Sequence, residues 1–216
     1  MLYFAYGSNM LTERLRARVP SAKPVATARL PGWTLRFHKR SQDGSGKCNV
    51  VETSDESATV HGVLFEFTTD DLSALDAAEH RGNGYERRRV HPQTSNQAVE
   101  AFAYVAQPAY VDDALRPYDW YRTIVMAGAY QHTLPSQYRN GLEATHNYPD
   151  PGSDGASTGP SYARPVFCIS GPTSNSKLDA KHERWRVKAL RGGSGAKRRR
   201  RDVPSNLIDQ YGHAHA

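Results

Sequence analysis

A run of turn-forming and small polar residues at positions 149–161 divides this chain, and it constrains the fold more than any other feature. Before it, apolar residues recur with strand-like and helix-like spacing. Within it no period survives, so it reads as a linker. The expectation is one packed domain over residues 1–148, followed by a Pro/Gly/Ser-rich linker and a basic, largely disordered tail over 149–216. The charge divides at the same place. Residues 1–150 carry a net −1, and residues 151–216 supply +7 of the chain's formal +6. Mean hydropathy is −0.70 although 38% of the residues are hydrophobic, as expected of a packed part averaged with a polar one. In the tail, residues 165–169 form a short apolar island that reads as a weak strand. Residues 177–191 read as a basic helix with Leu178, Trp185 and Leu190 as its few apolar members. Residues 197–201 are a lysine and four arginines, a like-charge block of the solvated kind.

These patterns narrow the function classes. No apolar run approaches the roughly 20 residues of a membrane helix, so no membrane partner is expected. No basic segment followed by a long apolar stretch opens the chain, so no secretory signal is expected. Cys48 and Cys168 form neither a CxxC pair nor a disulfide framework, which fits a reducing compartment, and a cytoplasmic location is expected. The histidines show no HExxH or other metal-ligand spacing, so no metal site is expected. The basic excess could serve nucleic acid only through the tail, with Trp185 available to stack on a base. No interleaving of aromatic and basic residues accompanies it, so nucleic acid is the weaker reading.

Within the first domain, residues 2–6 read as a short strand that runs into Gly7-Ser8-Asn9. A helix follows, with Asn9 as its cap, Leu11 and Leu15 on one face, Arg14 and Arg18 on another, and Pro20 as its stop. Residues 25–30 and 33–39 read as strands joined at Pro31-Gly32, and 47–52 and 59–67 as two more. Residues 68–71 resemble a capping-box start for a helix through Leu72, Leu75 and Ala78. Residues 85–91 and 99–105 read as strands, and residues 118–130 and 136–144 as helices, with Pro135 opening the second. Many strands with few long helices between them predict an α+β fold, a small and mostly antiparallel sheet or barrel flanked by helices.

Two segments carry chemistry. In Tyr6-Gly7-Ser8-Asn9 a strand ends at glycine just before a helix. Backbone N–H groups of Gly7, Ser8, Asn9 and Met10 are then left without helical partners, a place for a carboxylate or an oxyanion. As a local pattern such turns are common, and no Gly-Lys-Ser/Thr follows to make a phosphate loop. In Leu75-Asp76-Ala77-Ala78-Glu79 the helix ends at Glu79, beside a turn with Gly82 and Gly84, and a strand starts at Tyr85. A carboxylate at a helix C-terminus is a candidate to take and return a proton. The alternative is a Glu79 that is solvated or paired with Arg81, Arg87 or Arg88.

Together these motifs resemble the γ-glutamylcyclotransferase family, also called AIG2-like. The resemblance rests on Tyr6-Gly7-Ser8-Asn9, on Leu75-Asp76-x-x-Glu79 with Gly82, Gly84 and Tyr85, and on a third stretch. That stretch runs from Trp120-Tyr121-Arg122 through Gly128 to Leu134-Pro135 and Tyr138. The resemblance as a whole spans residues 2–142 and leaves 150–216 uncovered. One departure is His80, where the family commonly has glycine after its catalytic glutamate. The resemblance implies a γ-glutamylcyclotransferase-like fold and an enzyme that needs no cofactor and takes a small γ-glutamyl substrate. The substrate's α-amine attacks the γ-glutamyl carbonyl, releasing 5-oxoproline and an amine or amino acid. Glu79 is implied as the general acid/base. Gly7, Ser8 and Asn9 would hold an oxyanion or the α-carboxylate, and Tyr6, Tyr85 and Tyr138 would line the pocket. A diverged, binding-only member of the same fold is the alternative.

Overall fold

The computed structural model describes residues 1–149, residue 151 and the backbone of two short strands in the tail. Five strands make one sheet: β1 (Leu2–Ala5), β2 (Lys23–Pro31), β5 (Thr59–Glu66), β6 (Tyr85–Val90) and β7 (Ala101–Ala106), in the order β2-β5-β1-β7-β6. Every adjacent pair is antiparallel except β1–β7, which run parallel with Tyr3 opposite Phe102. The α+β architecture expected from the sequence is therefore present, as a mixed sheet. β3 (Trp33–Arg40) and β4 (Gly46–Glu52) pair with each other as a separate ribbon. So Pro31-Gly32 joins strands of different sheets.

Burial follows strand position. β5 lies between β2 and β1, and Gly62 through Phe65 are all buried, as an interior strand covered on both faces must be. The two edges are polar instead. Arg88 and Arg89 are exposed on β6, and Lys23, Thr27 and Arg29 on β2, which discourages pairing with another chain.

Four helices complete the domain: α1 (Thr12–Arg16), α2 (Leu72–Ala78), α3 (Asp119–Gln131) and α4 (Ser136–Glu143). Leu11 and Leu15 are fully buried, as their spacing predicts. Asn9 is not the cap of α1. Residues Ser8–Met10 form a single 3₁₀ turn, Leu11 precedes α1, and the Asn9 side chain turns inward. α1 also ends at Arg16, before Pro20 is reached. No side-chain cap bond comes from Thr68 either. The start of α2 is tied down by Ser21, whose backbone N–H donates to Asp71 Oδ2 at 3.0 Å. α3 packs its backbone against the 3₁₀ turn at Gly128. A Cβ there would lie 2.6 Å from both Leu11 N and Met10 Cβ, so only glycine permits this approach.

In the tail, β8 (Phe167–Ile169) pairs antiparallel with β9 (Val187–Ala189). The strand expected at residues 165–169 is present in part. Residues 187–189 are extended, not the end of a basic helix. The rest of that helix, the disorder expected of the tail and the basic block 197–201 lie outside the described residues.

Candidate active site

β1 carries the chain through the sheet centre and delivers Gly7 to Asn9 at its end. There lies a narrow, open-mouthed cavity of about 280 Å³, part of it open to solvent. Tyr6, Gly7, Ser8, Asn9, Glu79 and Tyr85, all expected site residues, line it together. Tyr138 does not. It lies on α4, with its ring centre 4.9 Å from that of His61. Burial raises its phenol, and its hydroxyl is buried with no hydrogen-bond partner among the described residues.

Glu79 caps α2, and its side chain is 16% exposed. Arg18 pairs with its Oε1 at 3.0 Å, and Asn9 Nδ2 donates to the same oxygen at 3.0 Å. Asn9 Oδ1 accepts from Arg18 at 3.0 Å, closing a triangle of three side chains. Neither contact uses Oε2. The pairing of Glu79 with Arg81, Arg87 or Arg88 does not occur. Arg81 bonds Asp76 at 3.2 Å, and Arg87 lies 3.3 Å from Asp76 Oδ1. Both arginines line the depression beside β6 instead.

Ser8 and Asn9 have no backbone acceptor for their N–H groups among the described residues, whereas Met10 closes the turn on Gly7 at 2.9 Å. One of the four donors expected to be free is thus consumed. Gly7 is required by close approach, since a Cβ there would sit 2.9 Å from Cys48 Cβ. The cavity loop is thereby pressed against β4.

Five tyrosines wall the cavity: Tyr3, Tyr6, Tyr85, Tyr104 and Tyr121. Burial raises every one of these phenols, so all are neutral near pH 7. Three of their protons are donated to the protein: Tyr6 to the Tyr104 carbonyl, Tyr85 to the Cys48 carbonyl at 2.6 Å, and Tyr104 to Asp76 at 2.7 Å. The Tyr121 oxygen accepts the Cys48 N–H at 3.2 Å. The Cys48 thiol is pushed up to about 12 by burial, which leaves it protonated and a poor nucleophile.

Tyr3, Cys48, Tyr104, Tyr121 and Arg18 are the residues that sequence reasoning did not place here. Tyr121 lay inside a segment that carried the family resemblance. Arg18 stands 61 positions from Glu79, and no local period links them. His80 is exposed and does not line the cavity. Its φ of +51° explains a family preference for glycine there, because a side chain in that conformation costs about 1 kcal/mol.

A larger depression of about 850 Å³ lies against the edge strand β6. Its one lining carboxylate, Glu100, is well exposed and 3.6 Å from Arg89, and the rest of the lining is mostly arginine and apolar. The smaller cavity is the candidate site. Among the described residues no group of three or more His, Cys, Asp or Glu is placed to hold a metal ion, and no helix is long and apolar enough to cross a membrane.

A carboxylate at a helix end, facing a strand–glycine turn in a mixed α+β sheet, defines a class of small-molecule site. The chain belongs to the gamma-glutamyl cyclotransferase, AIG2-like family, whose model matches residues 3–123. It is 32% identical to the human gamma-glutamylcyclotransferase over 149 residues, covering 66% of this chain and 77% of that protein. The bovine gamma-glutamylcyclotransferase is 30% identical over 147 residues, with the same coverage. A solved structure of a gamma-glutamyl cyclotransferase is 29% identical and superposes with a TM-score of 0.63, over 68% of this chain and 88% of that one.

Proposed function

We propose that the chain is a γ-glutamyl cyclotransferase that uses Glu79 as its acid–base group. The observation that carries this reading is the Asn9–Arg18–Glu79 triangle. It fixes one oxygen of the only carboxylate lining the cavity and leaves the other unengaged, beside the Gly7–Asn9 turn.

The nucleophile is part of the substrate, so the protein must fold the glutamyl group until its α-amine meets its own γ-carbonyl. The ammonium first loses a proton to Glu79. The amine then adds to the carbonyl carbon, closing a five-membered ring and placing negative charge on the carbonyl oxygen. The Ser8 and Asn9 N–H groups are available either to that oxyanion or to the substrate α-carboxylate. Glu79 returns the proton to the leaving nitrogen, the C–N bond breaks, and the ring nitrogen gives its second proton to Glu79, which passes it to the departing amine or amino acid as 5-oxoproline is released. No water is consumed and no external group enters. The neutral phenol oxygens of Tyr6 and Tyr85 have donated their protons elsewhere, so they face a substrate ammonium as acceptors.

The test is release of 5-oxoproline from a panel of γ-glutamyl compounds. The wild-type chain is expected to release it, and Glu79→Gln to reduce release about 10²–10⁴-fold with its thermal midpoint retained. Full activity in that variant rejects Glu79 as the base.

A further inference from the structure

The depression against β6 gathers cations that the chemistry at Glu79 does not use. Four arginines line it, Arg81, Arg87, Arg88 and Arg89, against the single carboxylate of Glu100. Arg87 and Arg89 project from one face of β6, roughly 7 Å apart, and Arg88 from the other. β6 is a sheet edge, and all three reach the same hollow. Leu2, Ala101 and Phe102 supply its apolar side, and the Phe102 ring is stacked on Tyr3 at 5.3 Å between ring centres.

These guanidinium groups are poorly satisfied. Arg81 donates to Asp76 at 3.2 Å and lies 3.5 Å from Glu86. The Arg87 Nε is buried with no hydrogen-bond acceptor, and its approach to Asp76 Oδ1 at 3.3 Å is an ion pair only. Arg88 is exposed and forms no ion pair among the described residues. Arg89 has Glu100 at 3.6 Å, beyond hydrogen-bond distance. Asp76 and Glu86 do not line the depression.

Protection of a sheet edge needs charge, for which lysine serves as well, and needs no concavity. Here the charge is carried by planar forks that match phosphate oxygens in pairs, around a hollow of about 850 Å³ that is open to solvent. A phosphate brings roughly two charges and three acceptor oxygens, so it satisfies several forks at once; a carboxylate brings one charge and two oxygens. The chain's own basic tail has the wrong sign to fill the hollow. We propose that this depression is a second binding site, separate from the Glu79 cavity, for a small molecule carrying two or more phosphates, held by Arg87, Arg88 and Arg89. Binding there does not depend on the reaction assigned to Glu79.

The test is titration calorimetry on the full chain at about 0.15 M ionic strength, with inorganic triphosphate, ATP and citrate as probes. Triphosphate, ATP or both are expected to bind at about 100 µM or tighter, and citrate at least about tenfold more weakly. Equal affinity for the two phosphate compounds identifies a free polyphosphate as the ligand, and tighter binding of ATP identifies a nucleotide. Arg88→Gln and Arg89→Gln are each expected to weaken binding about tenfold or more. Both side chains are exposed and outside the Glu79 cavity, so 5-oxoproline release and the ligand-free thermal midpoint are expected to be unchanged in these variants. The tail could also attract phosphates, so a chain with Lys197 through Arg201 replaced by glutamine is titrated beside them and is expected to keep its affinity. Absence of binding by both phosphate compounds overturns the proposal. So does affinity that survives both arginine substitutions, or that is lost with the tail substitutions instead. Citrate binding as tightly as triphosphate overturns the assignment to phosphate.

Discussion

Asp76 and Glu79 stand three residues apart at the end of one helix, and their surroundings differ in kind. Asp76 has both oxygens engaged. Oδ1 accepts the Tyr104 hydroxyl at 2.7 Å and lies 3.3 Å from Arg87, while Oδ2 meets Arg81 at 3.2 Å. Glu79 receives both its contacts on Oε1. The first carboxylate fastens α2 to β6 and β7. The second is held in place by one oxygen and keeps acceptor capacity on the other. In a pair of acids this close in sequence, the difference between a fastener and a proton carrier lies in how many lone pairs the fold has already engaged.

The comparison is broken most directly at Glu79. Glu79→Gln is expected to cost about 10²–10⁴ in 5-oxoproline release with little change in stability. Loss of stability comparable to that of an Asp76 variant would make Glu79 a fastener too. Gly7→Ala attacks the same side through packing. Its Cβ would meet Cys48 at 2.9 Å, and a destabilisation of about 1–3 kcal/mol is expected in denaturant unfolding, with activity reduced. Asp76→Ala is expected to cost about 1–3 kcal/mol of stability, because it orphans the Tyr104 hydroxyl, which lies in a 2% exposed residue. If Asp76→Ala instead removes activity at unchanged stability, the assignment of the two roles is reversed.

His80→Gly sharpens the comparison from the turn between the two motifs. Relief of the positive φ is expected to stabilise the protein by up to about 1 kcal/mol with turnover unchanged, since His80 does not line the cavity. The smallest effect concerns Asp43, a second fastener on the ribbon. Burial pushes its carboxyl upward, but bonds from Lys47 and Ser45 outweigh that and hold it below its usual range. A depressed folded-state pKa contributes stability above the unfolded value near 4, and that stability is lost as pH falls through the folded value. Asp43→Asn is therefore expected to cost stability at pH 7 and progressively less as pH falls through the folded value, read from unfolding midpoints across that range.

Much of the fold was legible along the chain. The strands at β4, β5, β6 and β7 fall within one or two residues of their apolar patterns, because alternation and turn residues are local signals. The capping roles of Asn9 and Thr68 were not legible. A side chain that can cap a helix can equally bond across space, and here Asn9 meets Tyr3, Arg18 and Glu79 instead. At the site, the Tyr6–Asn9 turn and Glu79 stood out as motifs, while Arg18, Tyr104 and Tyr121 did not. Tyr104 and Tyr121 read locally as core residues of β7 and α3, and Arg18 lies just beyond α1, so no local pattern ties any of them to Glu79.

The sequence by itself determined which segments of the first 149 residues are strands and helices, and which acid ends a helix beside a glycine turn. All of these depend on residues within a turn or two of one another. Only the tertiary structure decided that β1 runs parallel to β7, that Arg18 and not Arg81 or Arg87 meets Glu79, and that Lys39 and the Arg14 Nε are buried without a carboxylate. Those outcomes depend on which distant groups the sheet order brings within reach of a charge, and no local pattern encodes that distance.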